Sequence, residues 1–252
     1  MYHAVNVLGT EHVVQACLQK GVGRLVFTSS PSVTFDGFKK MGADQNGIDE
    51  SAPYAARWLC HYPHSKALAE QRVLAANKQG RLLTCALRPH LVWGPRDTHL
   101  IPRLIDRARR GRLRRVGAGQ NRIDISYVEN AAEAHLLAAD ALKPGSPVAG
   151  SSYFISQGDP VNCWDWIDQV LALAGLPTVN KSMSFHAAWR LGGIFDRVYS
   201  LARLTGDPPM TRFLAAQLAT NHWFEIGRAR HDFGYFPRVS TDEGMERLAA
   251  SW

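Results

Sequence analysis

No apolar stretch of this 252-residue chain reaches the roughly 18 residues that a membrane-crossing helix needs, so no bilayer span is expected. The opening residues, MYHAVNVLGT, lack the basic start and long apolar core of a secretory leader, and secretion is not expected. Cysteine is scarce. Cys17, Cys60, Cys85 and Cys163 show neither a CxxC pair nor metal-ligand spacing, which excludes a disulfide framework and fits a reducing cytoplasm. His61, His64 and His99 do not stand at metal-binding spacing with carboxylates, so no metal is expected. A glycine-rich phosphate turn is wanting too: Gly117-Ala118-Gly119 has no third glycine, follows a basic stretch, and reads as a turn between two short strands.

What is present is globular: 46% of residues are apolar and 20% charged, too apolar for a disordered chain. The net charge is +7, and residues 103–115, with seven Arg and one Asp, account for most of it. That run reads as a solvated helix face with Leu104, Ile105 and Ala108 turned inward. It has no interleaved aromatics for stacking on bases, and no nucleic-acid partner is expected.

Short apolar runs at 24–29, 82–87 and 152–156 read as buried strands. Helical patterns occupy 4–20, 62–79, 99–111 and 129–142, with Gly21 and Gly80 as C-caps of the first two. Strands alternating with helices imply an α/β fold, a doubly wound parallel sheet. After about Pro160 the pattern turns mostly helical. Asn162 caps a helix over 163–174, a second amphipathic stretch covers 185–204, and Ser240 to Glu243 forms a capping box for the last. The expected organisation is a dinucleotide-fold part over 1–150 and a smaller, mostly helical substrate part over 151–252, with a soft boundary.

The sharpest chemical constellation is Tyr62-Pro-His-Ser-Lys66 at a helix start, preceded by Thr28-Ser29-Ser30 at a strand end. Spacing of i, i+4 puts the phenol and the ammonium on one helical face. A phenol titrates near ~10, and a nearby cation favours its anion, so Lys66 is expected to tune Tyr62 as a proton donor to a carbonyl oxygen. Ser30, at the carboxyl end of a strand, is placed to hold the same oxygen.

With Asn6-Val-Leu-Gly-Thr10, Leu87-Arg-Pro89 and Trp93-Gly-Pro-Arg96 added, the chain resembles the extended short-chain dehydrogenases/reductases of the 3β-hydroxysteroid dehydrogenase type, from residue 2 to its end. Stretches at 28–34, 69–77, 208–215 and 232–235 narrow the likeness to bacterial members that act on 2-alkyl-3-oxo fatty acids in olefin biosynthesis. The resemblance implies a catalytic set of Ser30, Tyr62 and Lys66, with Lys66 also on the nicotinamide ribose. It implies cofactor contacts from Asn6, Tyr62 and Lys66, and from Pro89, His90 and Val92 around the carboxamide. The cofactor would be NADP or NAD, NADP favoured, and the reaction reduction of a 3-keto group; a 3β-hydroxysteroid or sterol-carboxylate dehydrogenase is the alternative.

The family's first βαβ units, with their GxxGxxG turn, have no counterpart in this sequence, which opens inside a helix. The expectation is therefore weak dinucleotide binding by this chain, and a non-catalytic partner protein is the rival reading from another class. Expected partners are a small acyl or sterol-like substrate, a second copy or pathway enzymes. Core packing is the default for the apolar residues of 183–204, with a lid or a peripheral membrane-facing helix as the other reading.

Overall fold

In the computed structural model the described residues are 2–37, 44–77, 81–202, 204, 206 and 208–252. The chain opens with a helix, α1, whose π-helical first part His3–Leu8 runs into an α-helical part Gly9–Lys20 and ends at Gly21 in the left-handed conformation, φ 67°. Then follow β1 (Arg24–Thr28), a 3-10 turn over Pro31–Thr34, β2 (Gln45–Ile48), α2 (His61–Ala76), β3 (Leu83–Pro89) and β4 (Val92–Trp93). The middle of the chain holds α3 (Leu100–Arg109), β5 (Arg115–Val116), β6 (Arg122–Ile123), β7 (Ser126–Tyr127), α4 (Val128–Ala141), β8 (Ser152–Ile155), β9 (Val161–Asn162) and α5 (Cys163–Leu173). Last come β10 (Ser182–Met183), α6 (Phe185–Leu201), α7 (Arg212–Ala219), β11 (His222–Phe224), α8 (Gly227–Phe233) and α9 (Thr241–Ala249). Gly80, expected to cap α2, lies outside the described residues.

The three apolar runs become one parallel sheet in the order β1-β3-β8, as alternation with helices requires. Period-two alternation assigns the faces of β3. Thr84 and Arg88 reach α2, through Thr84 Oγ1 to the Val73 carbonyl and Arg88 to Glu70, while Cys85 and Leu87 pack with Ala134 and Ala138 of α4. Helices therefore cover both faces, the doubly wound arrangement. The sheet crosses position 150, since β8 pairs with β3.

Ladders too short to be visible in the sequence complete the fold. β2, β11, β6 and β9 form a second sheet, so the chain's last quarter is stitched to residues 45–48. The Gly117–Gly119 segment is the expected turn, between β5 and β6, which belong to different sheets. Asn162 caps α5 by accepting from Trp164 and Asp165 N–H groups, and Ser240 caps α9 by accepting from Glu243 N–H at 3.1 Å. The reciprocal half of the capping box is not made: the Glu243 carboxylate accepts instead from Arg247.

α6 departs from its expected role. Its buried side is small, Ala188, Gly192 and Gly193, and a Cβ on Gly192 would sit 2.5 Å from Thr211 backbone, so the glycines permit close contact with α7. The large residues Leu191, Ile194, Val198 and Leu201, at helical spacing, point outward and are 37%, 58%, 45% and 86% exposed. Core packing therefore does not account for this stripe. In α3, by contrast, Leu104, Ile105 and Ala108 do turn inward against the core.

Asp124, beneath β11, is fully buried; Oδ2 accepts from Phe224 N–H at 2.8 Å, and the Phe224 and Ser156 hydrogen bonds only partly offset the burial. Burial pushes its carboxyl up to about 7. Because the folded value lies above the unfolded one of 3.8, ionisation disfavours the native state, and stability should fall as pH rises from about 4 through 7. Asp124→Asn is expected to flatten that slope and to be more stable than the parent above pH 7 by on the order of 2 kcal/mol. Urea midpoints at acidic and alkaline pH check this; a variant that loses stability at both would refute it.

Candidate functional site

The carboxyl ends of β1 and β3 lie side by side, with Ser29 N–H donating to the Leu87 carbonyl at 2.6 Å. Ligands of open parallel sheets bind beyond such ends. Tyr62 reaches this point because α2 starts at His61, making it the second residue of the helix. Pro63 next to it costs no intrahelical bond, since N–H groups of a first turn have no acceptor within the helix.

Ser30 lies near enough to Tyr62 to act on its phenol. Burial raises the Tyr62 pKa, a Ser30 hydrogen bond opposes this, and neighbouring Tyr2 and Cys60 add to the rise. Tyr2 meets the Tyr62 ring edge-on, at 5.9 Å between centroids. The lowering influence on the phenol is thus Ser30 and not, as the sequence suggested, Lys66. The Lys66 ammonium donates to the Thr28 carbonyl at 2.8 Å and lies 5.0 Å from the Phe27 ring centre. Burial lowers its own pKa, with Glu70 opposing. Thr28 is anchored in turn: His135 Nδ1–H donates to the Ala131 carbonyl, which leaves Nε2 to accept from the Thr28 hydroxyl at 2.8 Å.

Asn6 lies in the π-helical part of α1 and donates to Ser65 Oγ at 3.0 Å; Ser65 donates to the Tyr62 carbonyl at 2.9 Å. Asn6 is thereby tied to the first turn of α2. Pro89 ends β3. For His90 the resemblance implies a backbone contact, and its side chain is held inside the fold. Its ring is buried against Phe224, with Nε2 2.7 Å from His222 Nδ1, and its backbone N–H donates to Ile155. Val92 pairs with Ser126 and is partly exposed. Between them Leu91 holds φ at 42°, and beyond the Trp93-Gly-Pro segment Arg96 holds φ at 63°. Positive φ at such residues is strained, and strain of this kind gathers where a loop is shaped for a ligand.

Sequence reasoning missed Ser32. Its hydroxyl lies 2.8 Å from Ser30 Oγ, and its N–H donates to the same atom at 3.3 Å, because Ser30 caps the 3-10 turn. The Ser-x-Ser pattern after β1 was the available signal. It also missed the His90–His222 pair, whose members are too far apart in sequence to be read together. A hollow of about 540 Å³ lined by Gln157, Trp166, Arg238 and Asp242, among others, includes none of Ser30, Tyr62 and Lys66.

The residues fit the nicotinamide-ribose end of a dinucleotide. Lys66 is a half-buried ammonium whose hydrogen-bond acceptor, among the described residues, is the Thr28 carbonyl, which leaves donors for ribose hydroxyls, and Tyr62 lies one turn earlier on the same helix.

The profile of the 3-beta hydroxysteroid dehydrogenase/isomerase family matches residues 1–185. The 2-alkyl-3-oxoalkanoate reductase of Stenotrophomonas maltophilia (strain K279a) is 52% identical over 255 residues, covering 99% of this chain and 74% of that protein. The protein of the same name from Shewanella oneidensis is 44% identical, covering 99% of this chain and 65% of the relative. The sterol-4-alpha-carboxylate 3-dehydrogenase, decarboxylating, of Mus musculus is 33% identical and covers 100% and 69%. The chain thus spans about two thirds to three quarters of these proteins. Among solved structures, UDP-glucuronic acid 4-epimerase from Bacillus cereus in complex with NAD superposes with a TM-score of 0.68 at 17% identity, over 98% of this chain and 66% of that one. The dTDP-glucose 4,6-dehydratase of Bacillus anthracis in complex with NAD gives 0.67 at 19% identity, over 99% and 68%. These two share the fold.

Proposed function

The chain belongs to the 3-beta hydroxysteroid dehydrogenase/isomerase family, a family of dehydrogenases and reductases, and from that premise we propose that it reduces the 3-keto group of a 2-alkyl-3-oxo fatty acid to the 3-hydroxy acid. The observation that carries this reading is the half-buried phenol of Tyr62, near enough to Ser30 at the strand ends for that hydroxyl to lower its pKa, in a chain so similar to proteins named for that reaction.

A nicotinamide dinucleotide held by Lys66 and Tyr62 would supply the hydride, with NADP preferred to NAD as the proposed cofactor. Tyr62 and Ser30 hold the ketone oxygen by hydrogen bonds that strengthen as it gains charge, and Tyr62 gives it a proton. Lys66 holds the ribose, and Asn6 keeps the first turn of α2 in register with α1. Together Ser30, Tyr62 and Lys66 form the proposed catalytic set; Asn6, Tyr62, Lys66, Pro89 and the backbone near His90 and Val92 form the proposed cofactor contacts. The sterol-carboxylate reading predicts the opposite substrate preference. Turnover of a 2-alkyl-3-oxo acid against a 4-carboxysterol decides between them, and faster sterol turnover would overturn the proposal. The four free cysteines fit a reducing compartment, and the cytoplasm is the proposed location. A place in lipid metabolism, on a route to long-chain olefins, follows from the same substrate.

Among the described residues no helix is long and apolar enough to cross a membrane. The α6 stripe suits a membrane surface instead. Leu191, Ile194, Val198 and Leu201 face out, exposed Arg190 and Arg197 flank them, and Asp196 turns away to accept from Arg212 N–H. Flotation with vesicles containing phosphatidylglycerol is expected to carry the protein up. Ile194→Ser/Val198→Ser/Leu201→Ser should weaken this on the order of a hundredfold with the circular dichroism unchanged. A stripe that instead joins two copies would show a dimer that the same triple variant dissociates, without vesicle binding.

A further inference from the structure

We propose that Ser32 is a positioning residue that sets which way the Ser30 hydroxyl donates, so that its hydrogen is aimed at the ketone oxygen. The inference rests on the reductase reading for its substrate but on the geometry of this turn for its substance.

A serine hydroxyl has one hydrogen to give and two lone pairs to receive. One lone pair of Ser30 Oγ is taken by Ser32 N–H, at 3.3 Å, an arrangement fixed by the capping role of Ser30. One hydrogen and one lone pair are left, for Ser32 Oγ at 2.8 Å on one side and, on the other, the side of Tyr62, whose phenol Ser30 influences. Two arrangements satisfy everyone. In one, Tyr62 donates to Ser30 and Ser30 donates to Ser32. In the other, Ser32 donates to Ser30 and Ser30 donates outward, toward Tyr62 and the space beside it.

A ketone oxygen only accepts, so it can be held by Ser30 solely in the second arrangement. Ser32 makes that arrangement self-consistent, because its hydroxyl fills the last Ser30 lone pair at the moment the Ser30 hydrogen turns away. A hydroxyl that accepts two hydrogen bonds is also a stronger donor. The same arrangement stabilises the Tyr62 phenolate left after proton transfer, and the Ser30 hydrogen bond is what lowers the Tyr62 pKa against burial. The other groups acting on Tyr62 are Tyr2, just before α1, and Cys60, just before α2; both raise the Tyr62 pKa. Ser32 reaches Tyr62 only through Ser30.

Two measurements on the full chain test this. The first is kinetic. Ser32→Ala is expected to lower kcat for the 2-alkyl-3-oxo acid about tenfold, the worth of one hydrogen bond, with KM nearly unchanged, and Ser32→Thr, which keeps the hydroxyl, to restore it. The second needs no cofactor. In protein labelled at tyrosine Cζ with carbon-13, the Tyr62 signal, assigned by its loss in Tyr62→Phe, should titrate about one pH unit later in Ser32→Ala than in the parent, and return in Ser32→Thr. A Tyr62 titration that Ser32→Ala leaves in place overturns the proposal. A parent protein that turns over no ketoacid while Ser32→Ala still moves the titration refutes the reductase reading and upholds the Ser32–Ser30 linkage.

Discussion

Tyr62→Phe is expected to lower the reductive kcat by about a thousandfold while leaving cofactor affinity and melting behaviour close to those of the parent. General acid catalysis by a placed group contributes roughly a hundred- to ten-thousandfold, and the described residues around the phenol offer no equivalent acid. Ser30 offers a hydroxyl but no group near it lowers its pKa enough to give the proton away; Cys60, a residue before the helix, is pushed up to about 11 by burial. Removing one oxygen leaves the ring and its edge contact with Tyr2 in place, and α2 keeps its first turn. Lys66→Ala makes the contrast. It removes the proposed ribose contact and the tie to the Thr28 carbonyl, so both KM for the cofactor and kcat should suffer. Steady-state kinetics and a direct cofactor titration separate the two patterns. Near-parental turnover by Tyr62→Phe would remove Tyr62 from the chemistry.

The parts of this arrangement that could be read in the sequence are those whose signal is local. β3 and β8 announce themselves because a strand buried on both faces must be apolar almost throughout, the half-buried β1 by its central Leu-Val-Phe run, and the Tyr62–Lys66 spacing is visible because a helix converts four residues of sequence into one face. Ladders such as β2 with β11 could not be read. Gln45-Asn-Gly-Ile48 has no strand-like pattern, and its pairing is made by His222–Phe224 from the far end of the chain. α6 was legible as a helix but not in its orientation. Hydrophobicity alone assigns Leu191, Ile194 and Val198 to the interior; the deciding fact is that Gly192 and Gly193 let Thr211 and Arg212 come close, which turns the large side chains out. The influence of Lys66 on Tyr62 was misjudged for a related reason. Spacing places two residues on one face, but it does not show that the Lys66 ammonium donates to the Thr28 carbonyl, at the end of another element.

Glu70→Ala should be the most destabilising single change at the site's foundations, by about 3–5 kcal/mol. Glu70 on α2 and Arg88 on β3 are both buried, the side chains 0% and 4% exposed, and they meet at 2.5 Å with further bonds through Arg88 Nε. The Tyr54 hydroxyl donates to the same carboxylate at 2.8 Å, and the guanidinium lies over the Tyr54 and Phe154 rings. Burial pulls the Arg88 pKa down and Glu70 more than offsets it, so the cation persists inside. Taking Glu70 away strands that cation without its hydrogen-bonded counterion, leaving Glu50 as a weaker charge partner, and Arg88 Nη1 already lacks a partner. Breaking a buried pair costs far more than replacing it: Glu70→Leu with Arg88→Met should recover much of the loss, because two desolvated charges vanish together. Urea unfolding of the two single variants and the double variant gives the cycle; single variants within 1 kcal/mol of the parent would show that the pair contributes little. Turnover adds a second reading. Glu70 lies two turns along α2 from Tyr62, on the side that grips β3, and the same strand ends at Pro89 beside the crevice. A double variant that regains stability but not kcat would therefore mean that the ion pair also sets where α2 holds its phenol, since a misplacement of about 1 Å is enough to cost a hundredfold in rate.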